Sequence, residues 1–158
     1  MIEVFTDGAS SGNPGKGGYG IIMRLHGTSY EKTFSEGFRL TTNNRMELLA
    51  VIVALEKITK PDQEVTVYSD SRYVIEAINK NWIYRWEKKR FEKVKNPDLW
   101  LRFLKIYRKH KVTFKWIKGH VGHPENERAD KLAVSASKSE ELSVDTAYEK
   151  SIEENTIF

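Results

Sequence analysis

NRMELLAVIVALEKITKPDQEVTVYSD, Asn44–Asp70, is where the chain changes its period. Leu48, Ile52 and Leu55, then Ile58 or Thr59, recur at three- and four-residue steps, so Asn44 to Thr59 predicts a helix. Lys60-Pro61-Asp62 stops it, because proline lacks the amide hydrogen that a continuing helix needs. Glu64 to Ser69 then alternates as a strand and delivers an acid, Asp70, at its end. Upstream of this switch the period is two. Ile2–Asp7, Tyr19–His26 and Ser29–Arg39 read as strands joined by short glycine-containing links, with His26-Gly27-Thr28 as the second turn, and suggest an antiparallel meander. Downstream, Ser71–Asn79 reads as a helix and Asn81–Lys95 as a short helix and loop. A further helix runs from Asn96-Pro97-Asp98 to about His110, followed by a strand at Lys111–Ile117. After a loop at Gly119–Gly122, Pro124 opens a last helix, Glu125–Ser137. Hairpins followed by strand–helix alternation imply an α/β fold, a mixed sheet flanked by helices.

At 158 residues the chain is expected to be one domain: a catalytic part over 1–138 and an acidic tail over 139–158. It contains no cysteine, which excludes disulfides and thiolate metal sites. The start, MIEVFTDG, has no basic and apolar leader, and no apolar run approaches the ~18 residues of a membrane helix, so the expected compartment is the cytoplasm and no membrane is involved. The net charge of +4 hides an asymmetry. Lys80–Lys118 holds fourteen Lys/Arg against three acids, net +11, together with all four tryptophans; Ser139–Phe158 holds six acids against one lysine, net −5. Basic charge interleaved with flat aromatics suits nucleic acid, though a solvated helix face over core tryptophans has the same composition.

Three acids stand where strands end or helices begin: Asp7 after the first strand, Glu47 in the first turn of the first helix, and Asp70 after the fourth strand. A fourth, Asp130, lies in the last helix. Each has a plain structural reading. Asp7-Gly8 is a common turn pair, Asn44 and Glu47 form an N-x-x-E capping pattern, Asp70 can cap the helix after it, and Asp130 can be solvated. Together they read differently. If the first and fourth strands are neighbours, Asp7 and Asp70 stand side by side and repel unless protonated or bridged by a cation. Carboxylate oxygens without His or Cys suit a hard cation, Mg²⁺ or Mn²⁺, and Mg²⁺ sites favour phosphoryl chemistry.

TDGASSGNPGKGGYG with Asp7, TTNNRMELLAVIVAL with Glu47, VYSDSRYV with Asp70, and WIKGHVGHPENERADKLA with His120 and Asp130 resemble type 1 ribonuclease H in its bacterial form, from about Ile2 to Tyr148. The resemblance implies a five-stranded mixed sheet, three antiparallel strands followed by two parallel ones, with helices on both sides. It also implies an endonuclease that hydrolyses the RNA strand of RNA–DNA hybrids by two-metal-ion catalysis, leaving 3′-hydroxyl and 5′-phosphate ends. Asp7, Glu47, Asp70 and Asp130 would hold two Mg²⁺ ions with substrate, Mn²⁺ being possible, with Asp7 bridging them. His120, in a glycine-flanked loop, would transfer a proton or help release product. A monomer with no obligate protein partner is expected.

The same resemblance assigns Asn13, Asn43 and Asn44 to the 2′-hydroxyls of the RNA strand, since amides both donate and accept. It assigns Thr42, Arg45 and Asn96 to a phosphate of the DNA strand, and Trp82 to a deoxyribose. Lys88 and Lys89, beside Arg90, would add salt-dependent affinity. Two features depart from the bacterial pattern: the basic protrusion between Trp86 and Trp100 is several residues shorter, and Arg72 stands where glutamine is frequent. Arginine reaches a phosphate or a base edge but accepts no hydrogen bond. The rival readings are a DNA-cutting nuclease of the same fold, against which the asparagines argue, and a non-catalytic hybrid-binding module, for which a missing acid is expected and none is missing.

Overall fold

The computed structural model describes residues 1–118 and 123–155. Five strands form one sheet in the order β3-β2-β1-β4-β5, with β1 at its centre. β1 (Ile2–Gly12), β2 (Gly15–Leu25) and β3 (Glu31–Thr41) are the antiparallel meander. The first two strands run further into the glycine-rich stretch than alternation alone indicates, because Ser10, Ser11, Lys16 and Gly17 continue the ladder to a tight turn at Gly12 (φ +86°). β4 (Glu64–Ser69) joins β1 in parallel, and β5 (Lys111–Trp116) joins β4 in parallel. The β1–β4 register pairs Ile2 with Val65 and Phe5 with Tyr68, whose rings stack at 4.8 Å. Asp7 and Asp70 each lie two residues beyond that last pair.

The helices are α1 (Asn43–Glu56), α2 (Arg72–Asn79), α3 (Trp82–Lys88), α4 (Pro97–Tyr107), α5 (Pro124–Ser137) and α6 (Thr146–Asn155). α1 carries no polar face: every residue from Arg45 to Ile52, and Ala54 and Leu55, is buried. A helix that is apolar all round belongs inside, and α1 lies between the sheet and α4. Its core partners include Val4, Ile21, Val67, Trp100 and Phe103. Trp86 packs at the edge of this core and Trp100 is fully buried, both as expected of core tryptophans. The opposite face of the sheet is covered by α5, whose Ala129 packs on Phe5 and Ile22. Among the described residues no helix is long and apolar enough to cross a membrane.

Local capping differs from the sequence expectation in two places. Thr42 rather than Asn44 caps α1, its hydroxyl accepting from the Arg45 amide at 3.2 Å. Ser71 rather than Asp70 caps α2, accepting from the Val74 amide. The tail also has more structure than its composition suggests. The Ser143 amide donates to the Gly37 carbonyl and the Arg39 amide to the Ser143 carbonyl, so the tail lies along the open edge of β3 before α6 begins.

α5 approaches β2 very closely. A Cβ built on Gly20 would lie 2.2 Å from the Ala129 carbonyl oxygen, inside any real contact distance. This absence of a side chain sets the height of α5 above the sheet at the residue before Asp130. Gly20→Ala is expected to destabilise by about 2 kcal/mol or more through overpacking. It should also lower Tm by several degrees in a scanning calorimeter; an unchanged Tm would mean that α5 is not seated on β2 as described.

Candidate active site

The middle of β1, where Asp7 lies inside the strand rather than at its end, the end of β4 and the first turn of α1 converge on one open concavity of about 370 Å³, lined by Asp7, Gly8, Asn43, Asn44, Glu47, Asp70, Ser71, Arg72, Tyr73 and Asp130. All four acids singled out in the sequence line it. Carboxylate oxygens of Asp7, Glu47 and Asp70 lie within 4.8 Å of one another. Asp7 and Glu47 are buried, while Asp70 and Asp130 are half-buried.

Gly8 makes this packing possible. Its missing side chain lets β1 press against α1, where a Cβ would sit 2.5 Å from the Glu47 amide nitrogen. The Gly8 amide then donates to Asp7 Oδ1 and to Glu47 Oε1, both at 2.9 Å. The second oxygen of each acid, Asp7 Oδ2 and Glu47 Oε2, is buried without a hydrogen-bond partner. Two orphaned buried carboxylate oxygens with a third carboxylate alongside are a costly arrangement for a protein alone. Hard oxygen donors of this kind fit a divalent cation. Sequence reasoning read Gly8 only as a turn residue, and nothing in the local pattern signals that its amide serves both the neighbouring Asp7 and the distant Glu47.

Burial, chiefly, pushes Asp7 up to about 7, with Asp70 and Asp130 adding to the rise and Glu47 opposing it. Burial likewise pushes Glu47 well above the ordinary carboxylate range, reinforced by Asp7 and Asp70.

The other expected site residues divide into groups. Asn13 Oδ1 accepts from the Asn43 amide at 3.1 Å, so the tip of the β1–β2 hairpin reaches the start of α1. Asn13, Thr42, Asn44, Arg45 and Asn96 border a second groove of about 700 Å³, closed on its far side by Tyr148, Ser151 and Ile152 of α6. Arg45 is buried there and its donors are fully engaged. Nε and Nη2 donate to the two oxygens of Asp145, Nη1 and Nη2 to those of Asp98, and Nη1 also to Asn96 Oδ1, at 2.7–3.2 Å. Burial alone would lower its pKa, and the two carboxylates more than reverse this. Neither acid was singled out in the sequence, since only tertiary contact pairs the tail with α1. Trp82 stands apart from both concavities, half-buried at the start of α3 with the Lys80 ammonium over its ring at 5.2 Å. Lys88 and Lys89 are exposed at the end of α3. His120 lies outside the described residues.

A family model described as RNase H matches residues 1–138. The chain is 52% identical over 149 residues to the ribonuclease H of Desulforamulus reducens, covering 91% of this chain and 92% of that protein. It is 55% identical over 142 residues to the ribonuclease H of Citrobacter koseri, covering 87% and 89%. Among solved structures it resembles LC9-RNase H1, described as a type 1 RNase H with the type 2 active-site motif, at a TM-score of 0.77 and 30% identity, covering 86% of this chain and 71% of that one. It also resembles LC11-RNase H1 in complex with RNA/DNA hybrid, at a TM-score of 0.63 and 30% identity, covering 86% and 96%.

The raised Asp7 and Glu47 carboxyls make metal-free stability depend on pH. The folded state keeps protons that the unfolded chain releases, so this contribution is full near the ordinary carboxylate pKa and is lost as pH rises towards about 7. In EDTA, Tm is expected to fall between about pH 5 and 8. Glu47→Gln, which removes one acid of the pair, should flatten that fall. Parallel pH profiles for wild type and variant would contradict the coupling.

Proposed function

The chain belongs to the ribonuclease H family, and from that premise we propose that it is an endonuclease cutting the RNA strand of RNA–DNA hybrids at the carboxylate pocket, leaving 3′-hydroxyl and 5′-phosphate ends. The observation that carries this reading is the pair of orphaned, buried carboxylate oxygens on Asp7 and Glu47 beside Asp70. Asp7, Glu47, Asp70 and Asp130 would hold two divalent cations, Mg²⁺ or Mn²⁺. When bound, such ions supply a water of lowered pKa for in-line attack and neutralise charge on the departing 3′ oxygen.

The chain's own residues do the rest. The Gly8 amide fixes one oxygen of Asp7 and one of Glu47, so that the free oxygens keep their places before substrate arrives. Asn43 and Asn44, on the pocket wall, and Asn13, which holds the Asn43 amide, present amides to the 2′-hydroxyls of the RNA strand. DNA lacks that group, and a site built to hydrogen-bond a hydroxyl rejects an analogue without it. Thr42 and Asn96 face the neighbouring groove, where a DNA-strand phosphate would lie. Arg45, its donors already taken, acts there as a positioning residue that ties α1, Asn96 and α6 together. The exposed basic residues of α3, with Trp82 against a deoxyribose, complete the DNA side. His120 is assigned proton transfer or product release on its motif alone.

The test is a gel assay with 5′-labelled RNA paired with DNA, RNA paired with RNA, single-stranded RNA, and duplex DNA, in Mg²⁺ and in EDTA. Cutting confined to the hybrid's RNA and abolished by EDTA is expected. Asp70→Asn should keep hybrid binding and lose cleavage by on the order of 10³-fold, matching the several kcal/mol that a metal-held charge contributes. Cutting of duplex DNA would mark a DNA nuclease of the same fold, and an Asp70→Asn variant that cuts at the wild-type rate would overturn the metal-site reading.

A further inference from the structure

Six of the nine arginines hold a carboxylate: Arg24, Arg39, Arg45, Arg102, Arg108 and Arg128. Among the described residues Arg72, Arg85 and Arg90 make no ion pair, and of these three Arg72 alone has its guanidinium over an aromatic ring, that of Trp116, 5.0 Å from the centroid. The sheet brings the two together. Ser69 at the end of β4 pairs with Trp116 at the end of β5, and the Ile117 amide donates to the Ser69 carbonyl at 2.9 Å. The β4–α2 turn and the end of β5 are thereby side by side, with Asp70 in that turn and Arg72 opening α2. Trp116 is 42% exposed, a large aromatic surface left beside the catalytic pocket.

Arg72 borders two concavities. One is the carboxylate pocket. The other is a groove of about 300 Å³ lined by Arg72, Ile75, Glu76, Asn79, Lys80 and Trp116. Asn79 and Lys80 lie two turns beyond Arg72 on the same helical face. Lys80 bonds Glu76 at 3.7 Å and also lies over Trp82. The groove thus runs from the acids towards the aromatic, basic start of α3. Arg72 does not border the separate groove of Thr42 and Asn96.

A free arginine beside three acids would be drawn onto them. Stacking on indole opposes this. It occupies only the flat face of the guanidinium, leaving the in-plane N–H donors free for a phosphate. Glutamine at this position would offer neither the charge nor the fork.

We propose that Arg72, held against Trp116, clamps the RNA-strand phosphate next to the scissile one. The proposal rests on the reading of the carboxylate pocket as the hybrid-cleaving site, because it is the scissile phosphate in that pocket that brings its neighbour to Arg72.

The test is steady-state hybrid cleavage by wild type, Arg72→Gln, Trp116→Ala, Trp116→Phe and the Arg72→Gln/Trp116→Ala double variant, from about 50 to 200 mM salt. Arg72→Gln should raise KM several-fold at low salt, with the loss in KM rather than kcat. It should also flatten the slope of log KM against log salt by about 0.7–0.9, the mark of one lost phosphate contact. Trp116→Ala removes no charge yet should reproduce at least half of the KM rise, while Trp116→Phe keeps most of the wild-type affinity. The double variant should be no worse than Arg72→Gln alone, since the tryptophan acts through the arginine. Wild-type KM and salt slope in Arg72→Gln would overturn the clamp while leaving hybrid cleavage intact, and full additivity of the two single variants would remove Trp116 from it. A wild type that cuts no hybrid would overturn the reading beneath the clamp, and the clamp with it.

Discussion

The mutual repulsion of Asp7, Glu47 and Asp70 organises this molecule. Their carboxylate oxygens are brought within 4.8 Å of one another on elements far apart in sequence, and close like charges out of water resist that placement. Two rigid devices impose it. The parallel β1–β4 register carries Asp7 and Asp70 to the same height, and the bare Cα of Gly8 admits the first turn of α1, from which Glu47 projects. The core beneath supplies the force. α1 is buried along almost its whole length, so withdrawing Glu47 from the cluster would mean withdrawing the helix from the core. Proton uptake relieves the repulsion in the metal-free protein, and divalent cations would relieve it in the working one.

A second charged cluster steadies the same helix from its other side. Arg45 is buried between Asp98 at the start of α4 and Asp145 just before α6, and Asp145 also accepts from the Thr41 hydroxyl at 2.7 Å. A buried guanidinium with every N–H satisfied is tolerable, whereas losing either partner leaves a charge uncompensated. The tail is therefore bound into the start of α1, where Asn43 borders the carboxylate pocket and Thr42 the neighbouring groove. Its acids on α6 lie off the face that borders the groove: Tyr148, Ser151, Ile152 and Asn155 line it, and Glu149, Glu153 and Glu154 do not.

Much of this was legible in the sequence because it rests on local periodicity. The change at Asn44, the proline stop at Pro61 and the alternation of Glu64–Ser69 each map onto an element, within a few residues at its ends. Glu47 and Asp70 were legible because they stand at a helix start and a strand end, where rigid side chains meet open space, whereas Asp7 lies inside β1 and Asp130 inside α5 and only their motifs marked them. What stayed hidden depends on contacts across the fold. Thr42 displaces Asn44 as the cap of α1 because β3 ends at Thr41, Thr42 keeps extended backbone (φ −125°, ψ 160°) and the helix already begins at Asn43. α6 escaped notice because its sequence has little apolar pattern and none of its residues is buried. The partners of Arg45 were hidden as well, since the acids that hold it lie 53 and 100 residues away.

The most direct test of the central claim is to count protons released when Mg²⁺ binds, by calorimetric titration in buffers of different ionisation enthalpy at about pH 6, just below the value assigned to Asp7. Ligating carboxylates must be deprotonated, so a cation entering the cluster should expel the protons that Asp7 and Glu47 share. The account predicts measurable proton release in the wild type, smaller at about pH 8 and sharply reduced in Asp7→Asn. Binding with no proton release at pH 6, or release unchanged by Asp7→Asn, would contradict it.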